Sequence, residues 1–195
     1  MRYDNQHKQR THQKLIEEAS AAIRQHGPDN ISVAGIMTKV ELTHGGFYAH
    51  FKSKDDLIAQ AITYMLEERT EAFKKRLEGA DISTALAYYI DTYLSTMHRD
   101  MRDKGCVVVA LNGDIARMSD AVKIRFEQGI ESTINILSNI LMTLNKPDPK
   151  TLAASVLAEM VGAVAISRTL SDSKLSEWLL NNTRINVKGR IGLNV

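Results

Sequence analysis

Between Ile31 and Phe51 the chain reads ISVAGIMTKVELTHGGFYAHF, and this stretch limits the available folds more than any other. Val33, Ile36, Met37 and Val40 fall at i, i+3, i+4 and i+7, which draws one apolar stripe along a helix of about two turns. Ser32 stands at its N-cap, and Ile31 and Ile36 are spaced as a hydrophobic staple around that cap. A second helix is expected from Thr43, whose hydroxyl would cap the first amides while Leu42 and Phe47 repeat the staple. Two short stapled helices joined by the tight segment Val40 to Leu42 make a helix-turn-helix, a motif whose second helix presents its first turn to a DNA major groove.

That first turn breaks a local rule. Gly45 and Gly46 each disfavour a helix by about 1 kcal/mol relative to alanine. Two readings explain them. Either the backbone beside His44 must come close to base edges or phosphates, aided by the positive end of the helix, or the pair lets two helices pack tightly inside the small domain.

Further along, Ser53 can cap a long helix from Lys54 to about Leu77, with Asp55 and Asp56 at its positive end and Leu57, Ala61, Met65, Phe73 and Leu77 inward. Before the motif, a helix from Lys8 or Thr11 to Gln25 carries Leu15, Ile16, Ala19 and Ile23 on one face and stops at Gly27-Pro28. Everything after Asp81 keeps a helical period. Ser83 is expected to cap a helix reaching Met97, Cys106 to Gly113 reads as a short buried helix despite Val107-Val108-Val109, and Ser119 opens a helix to Leu144. Asp148 and Pro149 open another to about Leu170, and a last one covers about Lys174 to Asn182. The chain is therefore all-α. A length of 195 residues with 44% hydrophobic content suffices for a small head and a larger body. A net charge of +2 is too small to signal nucleic-acid binding in bulk, so a DNA surface must come from clustering, to which Lys8, Arg10 and Lys14 contribute. No apolar run resembles a signal peptide, and the most apolar late stretch is broken by Glu159; a soluble, cytoplasmic protein with no membrane partner is expected.

The segment LTHGGFYAHFKSKDDL, Leu42 to Leu57, resembles the recognition-helix signature of the TetR-type (TetR/AcrR) one-component transcriptional regulators. The resemblance is dense from Lys14 to Leu57 and architectural beyond. It implies a three-helix helix-turn-helix domain over residues 1–53 and a helical effector-binding and dimerisation domain over 54–182, linked by helix 54–77, leaving 183–195 as a tail. On that basis His44, Gly45 and Gly46 approach base edges, Tyr48 and His50 donate to phosphates, and Thr43, Lys52 and Lys54 fix the register, with Ser32 and Thr11 as flanking contacts. The implied partners are a double-stranded, pseudo-palindromic operator, an effector, and a second copy joined through helices near 149–170 and 174–182, where Trp178, Leu179 and Leu180 suit a buried seam. The implied action is repression, ended by a ligand or by modification of Cys106.

Cys106 is the sole cysteine and has two readings: a small buried hydrophobe, or a thiol activated by the start of a helix and by Arg102 and Lys104. Tyr89, Tyr93, Met97, His98, Asn112, Phe126 and Met160 are candidates to line an effector pocket, though aromatic and methionine residues at helical spacing also make plain core. Cys106, His98 and Asp114 are the residue types of a thiol catalyst, but no strand-turn-helix elbow or phosphate cradle accompanies them. No catalytic residue, metal site or cofactor is assigned; His44 and His50 lack the further ligands zinc requires.

Overall fold

The computed structural model describes residues 2–193, which form nine α-helices and one six-residue 3-10 helix, with no strand among the described residues. α1 spans Arg2–His26 and α2 Val33–Lys39; the 3-10 helix His44–Ala49 and α3, Lys54–Leu77, follow. α4 (Ile82–Tyr93), α5 (Thr96–Asp100), α6 (Val107–Ile115), α7 (Asp120–Thr143), α8 (Pro149–Ser167) and α9 (Ser173–Arg190) complete the body.

Two of the expected caps are in place. Ser32 Oγ accepts from the Gly35 amide and starts α2, and Ser53 Oγ accepts from the Asp56 amide and starts α3. Gly27, at φ +79°, ends α1 in the left-handed conformation that lacks a penalty only for glycine. The turn after α2 uses the same conformation without a glycine: Glu41 sits at φ 60°, and the Leu42 amide returns to the Met37 carbonyl at 3.0 Å.

Four expectations are corrected. α1 begins well before Lys8, because nothing between Arg2 and Thr11 breaks a helix. Asp81, not Ser83, caps α4, its carboxylate accepting from both the amide and the hydroxyl of Thr84 at 2.8 Å. That helix ends at Tyr93, and Met97 belongs to a separate turn, because Ser95 accepts from the His98 amide and restarts the chain. α9 runs on to Arg190, so residues 183–190 are no frayed tail. Burial of Thr183 and Val187 and the ion pair of Lys188 with Asp91, at 3.0 Å to each carboxylate oxygen, outweigh the weak helix propensity of Asn181 and Asn182.

Two apolar clusters build the interior, and the boundary between them is not the boundary between head and body. One holds Leu15, Ala19 and Ile23 of α1, Ile36, Met37, Phe47 and the first half of α3, together with Val107, Leu111 and Ile115 of α6. The other is confined to the body, around Leu86, Ile90, Leu137, Met160 and Val164. α6 therefore lies with one face in the head's own core. α3 and α7 cross so closely at Gly129 that a Cβ there would fall inside the Leu66 side chain. α8 alone among the described residues is long and apolar enough to cross a membrane, with 44% of that window buried against its neighbours. Its Glu159 pairs with Arg190 of α9.

Candidate nucleic-acid interface and interior sensory site

The helix-turn-helix faces outward at the 3-10 turn. Phe47 is 1% exposed and lies edge-on to Tyr48 at 5.3 Å, so a buried ring supports an exposed one; Tyr48 itself is 70% exposed. Thr43, His44 and Gly45 share this exposed rim, and Lys52 stands at its far side. The Thr43 hydroxyl makes no cap bond, contrary to the sequence expectation, because Gly45 and Gly46 favour a tighter 3-10 turn whose amides do not converge on it. A Cβ added at Gly45 would meet open space, and one at Gly46 only ordinary contact with Met37 Cε at 3.5 Å. Neither glycine has a positive φ. Internal packing therefore does not require either glycine.

The base of this rim is clamped. The Lys52 amide donates to Asp56 Oδ2 at 2.8 Å, Gln60 donates to Asp56 Oδ1 at 3.0 Å, and Gln60 Oε1 meets His12 Nε2 at 2.9 Å. Desolvation opposes ionisation of Asp56, but the Lys52 amide, Gln60 and the Lys52 charge outweigh it and hold its pKa below the usual carboxylate value. His12 was not singled out in the sequence; one histidine on a helix face carries no signal until α3 is placed beside it.

The remaining expected contacts divide. Ser32 is exposed with its hydroxyl engaged in the cap bond, and Thr11 is half-buried on α1. Lys54 Nζ reaches the Asp29 carbonyl at 3.2 Å, which ties the loop after α1 to the start of α3. His50 is half-buried beside His12, ring centroids 5.9 Å apart, and its Nδ1 is buried without a partner among the described residues. Burial, then His12 and Lys8, lowers its pKa.

In the body, the Cys106 backbone amide donates to His98 Nε2 at 3.0 Å, and His98 Nδ1 lies 2.6 Å from the Tyr93 carbonyl. Those partners fix the neutral tautomer with the proton on Nδ1. Burial depresses the His98 pKa to about 4, against the bond to Tyr93 and with help from Arg69 and Arg168. Arg168 donates from Nε to the Arg99 carbonyl at 2.9 Å and from Nη2 to the His98 carbonyl at 3.1 Å, locking α5 to α8. Gly105 is wedged among these groups: a Cβ would lie 2.6 Å from Arg168 Nη2 and 2.8 Å from the Met101 carbonyl oxygen.

Of the expected pocket residues, Tyr89 and Tyr93 line a cleft of about 40 Å³ beside Cys106, Phe73 and Arg69. Met97 and His98 join the same tyrosines around an outer concavity of about 160 Å³. Asn112 is exposed on α6, while Phe126 and Met160 are buried in separate clusters; these three are not brought to the site. A larger groove of about 530 Å³ between α3 and α7 is lined by Thr63, Leu66, Glu67, Lys74, Arg125 and Gln128. Arg69 and Arg168 were missed because which face of α3 or α8 turns toward Cys106 is set by tertiary packing. The cysteine, histidine and carboxylate are not assembled as a thiol catalyst. His98 Nε2 is occupied by a backbone amide, and Asp114 pairs with Arg117 at 2.9 Å at the opposite end of α6.

Residues 15–61 match the family described as bacterial regulatory proteins, tetR family. The head of the chain carries the TetR-family pattern. The HTH-type transcriptional regulator YvdT of Bacillus subtilis is 33% identical over 93 residues, covering 46% of this chain and 48% of YvdT, so the match spans about half of that relative. The HTH-type transcriptional repressor NemR of Escherichia coli is 26% identical over 138 residues, 67% of each chain. The crystal structure of reduced NemR superposes with a TM-score of 0.81 at 18% identity, covering 92% of this chain and 95% of that one. A TetR regulator from Chloroflexus aurantiacus gives a TM-score of 0.79 at 20% identity over 96% of both. The fold is thus shared along nearly the whole chain, whereas the family's sequence pattern is confined to the head and the start of α3.

Proposed function

We propose that this chain is a TetR-family, sequence-specific, DNA-binding transcriptional repressor that acts in the cytoplasm as a homodimer and leaves its operator when the body is occupied or Cys106 is modified. The observation that carries the DNA reading is the pair Gly45 and Gly46. They sit beside exposed Tyr48, weaken their own helix, and have no internal neighbour that demands them. Such glycines fit a backbone that must approach a DNA edge, with Tyr48, Thr43 and Lys52 on flanking phosphates. The relatives' names, transcriptional regulator and repressor, support the same reading.

Dimerisation is supported by a face left open on the last two helices. Ser155, Ala158, Gly162 and Ile166 recur along one side of α8, small enough for close helix approach. Leu175, Trp178 and Ile185 line one side of α9, with Trp178 61% exposed, whereas Leu180 faces inward. A two-fold pairing over this face sets two 3-10 turns against two half-sites about one DNA turn apart.

The proposed coupling runs through α6 as well as α3. Cys106 opens α6, and Val107, Leu111 and Ile115 along it sit in the head's core, so displacement at the thiol is passed to α1 without crossing a flexible joint. Release requires the input to favour a state with the wrong half-site spacing by a few kcal/mol. The test is fluorescence anisotropy of the reduced chain on DNA immediately upstream of its own gene, with excess nonspecific competitor, before and after diamide, alongside Cys106→Ser. Binding that diamide abolishes only when Cys106 is present supports a thiol input. Binding that ignores diamide in both proteins retires the thiol and leaves a bound effector as the input.

A further inference from the structure

The wall between the inner cleft and the outer concavity is made by Arg69, Tyr89 and Tyr93, which line both. Three features of that wall point to one kind of occupant. The Tyr93 hydroxyl is buried, on a residue 2% exposed, with no nitrogen or oxygen partner among the described residues and only the weak acceptor Cys106 Sγ beside it. A buried hydroxyl without a strong acceptor marks a place where a partner is missing. The Arg69 guanidinium lies 5.7 Å from the centre of the Tyr93 ring and has no carboxylate partner among the described residues. No aspartate or glutamate lines either space, while Lys104 stands at the outer rim. The inner end is apolar, closed by Phe73, Val108, Ile136 and Leu157.

Resting on the reading of the body as a sensory domain, we propose that this wall binds the head group of a small monoanionic aromatic acid, whose carboxylate accepts from Tyr93 Oη–H and from Arg69 while its apolar body extends over Cys106. Charge and shape agree on that class. An oxyanion gives the stranded hydroxyl an acceptor and the unpaired guanidinium a counter-ion, two charge-assisted bonds in a setting with little water. Burial, with Cys106 and Tyr89 nearby, raises the Tyr93 pKa well above its ordinary value, so the hydroxyl keeps the proton it donates. A long acyl chain does not fit, since the free volumes of about 160 and 40 Å³ fall short of the roughly 300 Å³ at which drug-sized sites begin, and the one guanidinium on the wall matches a single negative charge. The inner cleft must widen to take the ring. Its walls touch the start of α6, so occupation presses on the helix that enters the head core.

The test is calorimetric titration of the reduced full chain, without DNA, using trans-cinnamate and the isosteric, uncharged trans-cinnamamide. The expected result is saturable binding of the acid at least about tenfold tighter than the amide, the scale of one hydrogen bond to a charged group. Arg69→Gln is expected to bring the acid down to the affinity of the amide with no change in melting temperature, and Arg69→Lys to restore part of the difference. Tyr93→Phe should weaken the acid about fivefold or more while leaving the amide less affected. Equal binding of acid and amide, an unchanged acid affinity in Arg69→Gln, or no saturable binding of either probe overturns the proposal. Because no DNA is present, these results stand apart from the operator assay: a chain that binds the acid but shows no operator preference loses the regulatory reading and keeps the site.

Discussion

Gly45 in the head and Gly105 in the body occupy opposite kinds of ground. A methyl group at Gly45 would project into open space; at Gly105 it would strike the Met101 carbonyl and Arg168. The second glycine is required by its own surroundings and the first is not. The same contrast runs through their surroundings. The head offers Tyr48 and Thr43 on a clamped base, whereas the body withdraws Cys106, His98 and Tyr93 from water.

The strongest way to break this contrast is to ask whether head and body are energetically separate. They share the cluster that contains Leu111, so Leu111→Ala should lower global stability by about 2–5 kcal/mol and do so in one cooperative denaturation transition. Two resolved transitions, with only the body shifted, would show that α6 does not join the regions.

The next effect belongs to His98. Its folded pKa of about 4 lies below the ordinary 6.5, so between those values the unfolded chain binds more protons than the folded one. The contribution is fully present above pH 6.5 and is lost as pH falls toward 4, up to roughly 3 kcal/mol. Asp56, Asp81 and Asp100, each held below the ordinary 3.8, act with the same sign in a lower window, losing their contribution only as pH falls beneath that value. Urea denaturation across pH 4 to 6.5 should therefore show a slope that His98→Gln flattens. An unchanged slope would mean that acid enters the body elsewhere.

Gly45→Ala sharpens the comparison because stability and binding should move apart. Stability is expected to stay level or rise by less than about 1 kcal/mol, since the methyl meets nothing and the unfolded chain loses freedom. Operator affinity should fall tenfold or more, as about 1.4 kcal/mol of close contact is lost. Equal affinity for wild type and variant would return the glycine pair to the unexplained. The smallest effect is expected at Glu41→Gly, which removes a non-glycine residue from φ 60° and should stabilise the head by about 1 kcal/mol without altering the DNA face.

What could be read from the sequence follows the same division. α3 is found where capping residues and periodicity place it, Lys54–Leu77, because Ser53, Asp55 and Asp56 act within four residues of one another. The exposed rim was equally legible, since it is built from consecutive residues. The Cys106 site was legible only in part: Tyr89, Tyr93 and His98 lie on one short stretch, but Arg69 and Arg168 arrive from helices distant in the chain. Asn112, Phe126 and Met160 have the right chemistry and the wrong helix faces. The end of α9 was missed for the same reason. Its last turns are held by Asp91, nearly a hundred residues earlier, and not by any local signal.

The account stands or falls on the 3-10 turn of the head reading DNA sequence. The most direct measurement is selection of binding sites from a random duplex library by the full-length reduced chain, followed by anisotropy on the enriched site for wild type and Tyr48→Ala. The account predicts a pseudo-palindrome with half-sites about one helical turn apart, bound tightly in excess competitor and several-fold more weakly by Tyr48→Ala. Failure of any sequence to enrich, or an enriched site that Tyr48→Ala and Gly45→Ala bind as wild type does, would contradict it.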